Sequence, residues 1–258
     1  LSRRWNATYR DNDESKVSKE QGIPKEGISV DISALRYIVD PYNECTSNED
    51  ESPEKNLNDA ISKYRQLSAK WSGLTGTNHV PSVGEWQKLM KESSAFIFYG
   101  TQKCLNYVPP SLLVSFPLQE CNIMLILDHV ETNESFLRQA TLDASKTCNE
   151  LTFEFPFESA AILSLTGVNS IIANQWNCKL RDNREKFTKI LEAAIDNSKN
   201  IGNALRSSVH PKPESNTDQD ISPGDITTEV SSTQSNVIVL DNTVLYGLPY
   251  FMLNPLKT

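Results

Sequence analysis

The sequence predicts an α/β fold, a mostly parallel sheet flanked by helices, and three observations carry that prediction. Two runs, Ala95 to Tyr99 and, Asn122 apart, Cys121 to Leu127, are apolar throughout rather than alternately, the pattern of strands covered on both faces. Segments with three- and four-residue apolar spacing stand between such runs, as amphipathic helices require. The resulting order of strand, helix, strand, helix, strand is that of parallel strands joined by helical crossovers.

The elements follow in chain order. Residues 1 to about 30 are polar and charged, with Gly22, Pro24 and Gly27 among them, and are expected to form an extended arm or linker. A first strand reads ALRYIVDP, halted at Asp40-Pro41, and residues 43–54 form an acidic loop. Leu57, Ala60, Ile61, Tyr64, Leu67 and Trp71 predict one helix over 56–71, with Gly73 and Gly76 ending that unit. Ser82 and Glu85 make a capping-box pattern ahead of Trp86, Leu89 and Met90. Residues 131–149 read as a polar loop with a short helix, and Glu150 to Phe155 as a strand broken by Pro156. Phe157 to Leu165 is an apolar helix with Gly167 as its C-cap, and Ser170 to Asn174 is a third buried strand.

Asp182 to Leu205 reads as one long helix, and residues 207–235, almost without core-forming side chains, as a disordered loop. Asn236 to Gly247 then forms an edge hairpin or last strand, and 251–258 a tail. The expected organisation is a single domain over 31–250. The opening Leu1, with no apolar leader after it, gives the expectation of a piece of a longer intracellular product.

Composition narrows the function classes. Of the 258 residues, 33 are acidic and 25 are Lys or Arg, a net charge of −8. Nucleic-acid binding and attachment to an anionic membrane both call for a basic stripe, which this chain lacks, so neither partner is expected. Five widely spaced cysteines without a CxxC pair fit a reduced compartment. The glycosylation patterns at Asn6 and Asn133 are discounted there. His79, His129 and His210 form no HExxH or HxH, and the glycines form no phosphate loop beyond a superficial Gly100-Thr101-Gln102-Lys103. No metal and no cofactor is expected.

In an open parallel sheet, chemistry gathers at the carboxyl ends of the strands. Those ends carry Gly100, Thr101, Gln102 and Cys104 after one strand and Asp128, His129 and Glu131 after the next. Cys104 and His129 are a conceivable thiol–base dyad. In the competing reading Cys104 is a buried small residue, His129 is a loop residue, and Asp128 caps the next turn. Asn174 and Gln175 are expected to hydrogen-bond loop backbone, and Trp176 to pack a loop over the sheet edge. Trp71 and Trp86 are expected in the core.

Val39-Asp40-Pro41, Leu74-Thr75-Gly76, FIFYG ending at Gly100, IMLILD ending at Asp128, VLYG ending at Gly247 and, above all, ESAAILSLTGVNSIIANQW from Glu158 to Trp176 resemble in order the CHAT domain, a relative of the separases and caspases. The resemblance implies a caspase-like architecture. Its catalytic histidine falls on Thr101, and the glycine after it on Gln102. Its Ser-Ala-Cys falls on Asp128, His129 and Val130, so the family nucleophile is a valine and the domain is implied to be a pseudopeptidase. A narrower resemblance, in VDPYNE, SAFIFYG and the 158–176 segment, is to the C-terminal region of the cilia- and flagella-associated protein 46 family. That implies a non-catalytic scaffold of the ciliary central apparatus. Its partners would be other central-apparatus proteins, including helical-repeat proteins, with microtubules reached indirectly. The alternatives are a hydrolase using Cys104 and His129, and an intracellular binding module outside cilia.

Overall fold

The computed structural model describes residues 27–45, 52–209 and 242–254. Eight strands and seven helices longer than one turn are built from them: β1 Ile28–Asp31, β2 Leu35–Val39, α1 Pro53–Lys63, β3 Ser72–Thr75, α2 Val83–Lys91, β4 Ala95–Tyr99, β5 Ile123–Leu127, α3 Asn133–Asp143, α4 Cys148–Phe153, α5 Pro156–Thr166, β6 Ser170–Asn174, α6 Leu180–Leu191, α7 Ile201–Val209, β7 Thr243–Gly247 and β8 Phe251–Asn254. Six strands form one sheet in the order β3-β2-β4-β5-β6-β7, parallel except for β7, which runs antiparallel to β6. β1 and β8 make a separate parallel pair.

The continuous apolar runs are explained by burial on two sides. Every residue of β4, β5 and β6 is buried, and alternate side chains enter different cores. Ala95, Ile97 and Tyr99 with Ile123, Leu125 and Leu127 meet Leu57 of α1, Phe187 and Ile190 of α6 and Ala204 of α7. Phe96, Phe98, Met124 and Ile126 meet Trp86 and Met90 of α2, Ala160 and Leu163 of α5, and the segment Cys104 to Cys121. Trp86 lies in an aromatic group with Phe98 at 5.7 Å and Tyr107 at 5.5 Å between ring centroids. Trp71 is buried in the first core, its indole N–H donating to the Ile32 carbonyl. The Ser82 capping box forms as the spacing predicts: Ser82 N–H donates to the Glu85 carboxylate, and Glu85 N–H to the Ser82 hydroxyl.

Several expectations are corrected. Residues 28–31 are a strand rather than part of an arm, because β8 supplies a pairing partner 223 positions later that no local pattern announces. For the same reason 251–254 is a strand rather than a tail. The segment 56–71 divides into α1 and one further turn, Arg65–Ser68, and Ser72–Thr75 is an edge strand beside β2. Its glycine is needed for close approach: a Cβ on Gly73 would stand 2.1 Å from the Tyr37 carbonyl oxygen. Residues 150–153 belong to α4, started by a capping box of Thr147 and Glu150, and Phe155 is the N-cap of α5. The alternation of Phe153 and Phe155 therefore does not mark a strand. The predicted helix over 182–205 is two helices joined through a π-wound stretch, Glu192–Asp196, with Ser198 at φ 48° turning the chain between them. Most of the predicted loop 207–235, and residues 46–51 of the acidic loop, lie outside the described residues.

Gly76 follows β3 where the chain crosses the end of β2, and a Cβ there would stand 2.0 Å from the Asp40 carbonyl oxygen. The obstacle is backbone, so Gly76→Ala is expected to destabilise the fold by about 2 kcal/mol or more, measured by urea denaturation.

Candidate functional site

The carboxyl ends of β2, β4, β5 and β6 lie side by side, and each is continued by a loop tied to its neighbour. Asp40 after β2 turns at φ 39°. Its carboxylate accepts the N–H groups of Glu44 at 3.0 Å and Cys45 at 2.9 Å. That turn brings the Glu44 side chain inward, to the end of β4. The acidic loop is therefore partly corrected: Glu44 and Cys45 are buried.

Glu44 is the centre of a buried polar group. Arg138, from α3, donates to it through Nε at 2.7 Å and Nη2 at 2.9 Å, the two-pronged geometry that suits guanidinium and carboxylate. Thr101 completes the arrangement, its hydroxyl donating to Glu44 Oε2 at 2.7 Å. The Arg138 guanidinium lies 4.2 Å from the Tyr42 ring centroid and 5.4 Å from that of Tyr107, so its positive charge faces aromatic surface rather than water. Burial pushes the Tyr107 phenol well above its ordinary range, keeping it neutral. Thr101 is completely buried. The position that the CHAT resemblance gives to a catalytic histidine thus holds a hydroxyl committed to an ion pair.

The loops after β4 and β5 are joined by backbone. Gln102 N–H donates to the Val130 carbonyl at 2.9 Å, and His129 N–H to the Gln102 carbonyl at 2.7 Å. Both Gln102, at φ 54°, and His129, at φ 59°, are left-handed, a conformation uncommon for residues other than glycine. The Gln102 amide is held by Ser135 at 3.0 Å, within the capping box that starts α3. Val130 is 4% exposed, and its side chain carries no nucleophile. Gly100, just before, donates its N–H to Leu127.

Asp128 behaves differently from the sequence reading. Its carboxylate caps the turn Cys104–Asn106 after β4, accepting the Cys104 N–H at 3.0 Å, rather than the turn that follows it. Its carbonyl accepts from the side-chain amides of Asn174 at 2.9 Å and Asn183 at 3.2 Å. Asn174 also donates to Asn183 Oδ1 and accepts from Thr243, so one buried amide links β5, β6, α6 and β7. Gln175 accepts from the Tyr246 hydroxyl at 2.7 Å, and Asn242 bonds the backbone of Gln175 and Trp176. Asn174 thus bonds loop backbone at Asp128, whereas the Gln175 side chain donates to the Ala173 carbonyl of β6 and accepts from Tyr246. Trp176 is half exposed. Gly167 ends α5 at φ 122°, the conformation its residue type permits.

Cys104 and His129 do line one cavity, with Asp128, Glu154 and Asn174. Its volume is about 10 Å³, the space of a single water, too little for a peptide side chain. Among the described residues no hydrogen bond joins the Cys104 thiol to the imidazole. Instead, His129 Nε2 stands 3.8 Å from Asp128. Burial, reinforced by the Asp128 charge, pushes the Cys104 thiol well above its ordinary range, the reverse of what a thiolate nucleophile requires. A roomier cavity, about 190 Å³, lies between α1 and α6, lined by Asn56, Tyr64, Arg184 and Phe187. It holds no cysteine. Among the described residues no cluster of three or more His, Cys, Asp or Glu could hold a metal ion, and no helix is long and apolar enough to cross a membrane.

No family model matches the chain. The cilia- and flagella-associated protein 46 of Chlamydomonas reinhardtii is 27% identical over 163 residues, 55% of this chain and 6% of that protein. The chain thus spans a small part of that relative's length. Among solved structures, two of the Saccharomyces cerevisiae separase–securin complex are similar. One gives a TM-score of 0.47 and 16% identity, covering 70% of this chain and 11% of that one. The other gives 0.45 and 14%, covering 88% and 13%.

Two variants probe the site. Arg138→Ala leaves the Glu44 carboxylate buried without its partner and is expected to destabilise the fold by about 3–5 kcal/mol, read by chemical denaturation. Asp128 should act in the opposite sense. Burial, partly offset by His129 and the Cys104 N–H, raises its pKa from 3.8 to about 6. The folded chain therefore holds that proton more tightly than the unfolded one, and the group's stabilising contribution, full below pH 4, is lost as pH rises through about 6. Asp128→Asn is expected to be more stable than the parent at pH 7.5 by about 1–3 kcal/mol, with the difference closing below pH 4.

Proposed function

We propose that this chain is a non-catalytic, protein-holding domain in which a peptidase-type site has been filled by structural contacts, and that it serves in the axoneme of motile cilia. The observation that carries the first part is the closure at Thr101 and Val130. The histidine position is hydrogen-bonded into the Glu44–Arg138 pair, the nucleophile position is a buried valine, and the adjoining cavity has the volume of one water. Base-activated thiol chemistry needs a titrating nitrogen beside an accessible sulfur. Neither family position supplies one. Cys104, the nearest cysteine, has a thiol held neutral by burial.

The axonemal part is supported by the relative named for cilia and flagella and by the segments VDPYNE, SAFIFYG and 158–176. In this reading the caspase-like architecture persists as a rigid support, and partners within the ciliary central apparatus contact its surface.

Three measurements test the two parts. Incubated with a library of unstructured peptides at neutral pH, the chain is expected to give no cleavage above buffer. A maleimide is expected to label exposed Cys148 rapidly and Cys104 only on unfolding. Cleavage that Cys104→Ala abolishes would overturn the inert site. The full-length protein carrying a fluorescent tag is expected along the axoneme, retained after detergent removes membrane and soluble matrix. Its complete release into the soluble fraction would overturn the axonemal role.

A further inference from the structure

On the opposite face of the sheet from the cavity beside Cys104, α1 and α6 enclose the larger cavity, which the filled site does not use. Its floor is apolar, with Ala60 and Tyr64 from the α1 side and Phe187 and Leu191 from α6, all buried members of one core. Asn56, Ala60 and Tyr64 recur at four-residue spacing, as do Phe187 and Leu191, so each helix brings one stripe of side chains to the cavity. Ala60, with only a methyl group, leaves a gap that a larger side chain would fill. The volume is about 190 Å³. An apolar cavity of about 150 Å³ takes a benzene ring, so there is room here for one six-membered ring with a small substituent.

One polar group is set into that floor. Asn56 is 5% exposed, and its Nδ2 donates to the buried Tyr99 hydroxyl at 3.1 Å, which anchors the amide. Among the described residues its Oδ1 accepts no hydrogen bond and its second N–H donates none, yet Oδ1 is not sealed within protein. A buried amide ordinarily uses both kinds of group. The edge left over, one acceptor beside one donor, is presented to the cavity that Asn56 lines. The mouth is charged but balanced. Lys63 lies 2.9 Å from Glu192 and 3.0 Å from Asp196, and Asp59 and Arg184 add one charge of each sign. An ion carried past them to the floor would meet no counter-charge there.

We infer that this cavity binds a small, uncharged aromatic amide, its ring against Phe187 and Leu191 and its carboxamide edge to edge with Asn56. Volume, floor and edge each narrow the class. The volume admits one ring, and the apolar floor favours a neutral body, with a few polar groups left to fix its orientation. The edge selects the functional group, since the donor and acceptor of one carboxamide meet the acceptor and donor of another in two parallel hydrogen bonds. The inference goes beyond the proposed function and does not depend on it, because the cavity shares no lining residue with the one beside Cys104.

The test adds benzamide to the isotopically labelled full chain and follows its amide and methyl resonances by NMR. Saturable shifts are expected at the Asn56 side-chain amide and at the Ala60 and Leu191 methyl groups, with a Kd of about a millimolar or tighter. Benzoate, which brings a charge, and toluene, which lacks donor and acceptor, should bind about tenfold more weakly or not at all. Asn56→Ala should abolish the preference for benzamide over toluene. Because that variant also removes a partner of Tyr99, a second leaves the floor intact: Thr188→Trp, at an exposed position on the mouth, should keep the parent's thermal melt and weaken benzamide by about tenfold or more. No saturation up to the solubility limit of benzamide would overturn the inference. So would equal affinity for toluene or benzoate, or shifts confined to another part of the chain. None of these outcomes bears on the closure at Thr101 and Val130.

Discussion

The constraint on which the structure depends is the burial of β4, β5 and β6 on both faces. Their backbones are paired with neighbouring strands, and all their side chains except Ser170 and Asn174 enter one of two apolar cores. No polar chemistry fits within the strands themselves. It is displaced to their carboxyl ends, where the loops must satisfy their own buried groups with side chains. Asp40, Glu44, Thr101, Asp128 and Asn174 do this.

Those residues do not act as separate caps. Asp40 shapes the loop that carries Glu44. Glu44 binds Arg138 of α3 and Thr101 after β4, and the capping box of α3 supplies Ser135 to Gln102. Gln102 in turn bonds the backbone on either side of His129 and Val130. The polar groups are thereby consumed by structure. A catalytic cleft at these strand ends would need them open to a substrate, and the two uses exclude one another. Two left-handed residues, each disfavoured alone by about 1 kcal/mol or more, persist because the surrounding hydrogen bonds fix them.

Much of the fold was legible because its signals are local. The apolar runs at 95–99 and 123–127, the Ser82 capping box and the Gly167 C-cap all depend on residues within one turn or one strand. The missed elements depend on distant partners. β1 is stabilised by β8 from the far end of the chain, and β3 is an edge strand of four residues beside β2. The break in the predicted 182–205 helix falls within good helix-forming sequence and is set by how α7 folds back on α6. At the site, Thr101, Val130, Asp128 and Asn174 were found through the resemblance and through their position at strand ends. Glu44 and Arg138 were not. Glu44 stood in an acidic stretch that read as solvated, and Arg138 in a segment that read as a polar loop. Periodicity carries no signal for a pair 94 positions apart. A lone arginine between apolar helix positions, near Tyr42 and Tyr107 only in space, was beyond sequence reasoning.

The central claim is that the carboxyl-end loops are a closed part of the fold rather than a mobile cleft. Native-state amide hydrogen exchange at Gln102 and His129 measures this most directly, since their N–H groups form the bridge between the two loops. Protection approaching that of the buried strands β4 and β5 is the predicted result, meaning that the bridge opens only with global unfolding. Exchange at the rate of an exposed loop, with β4 and β5 still protected, would show that the strand ends open independently and would contradict the account.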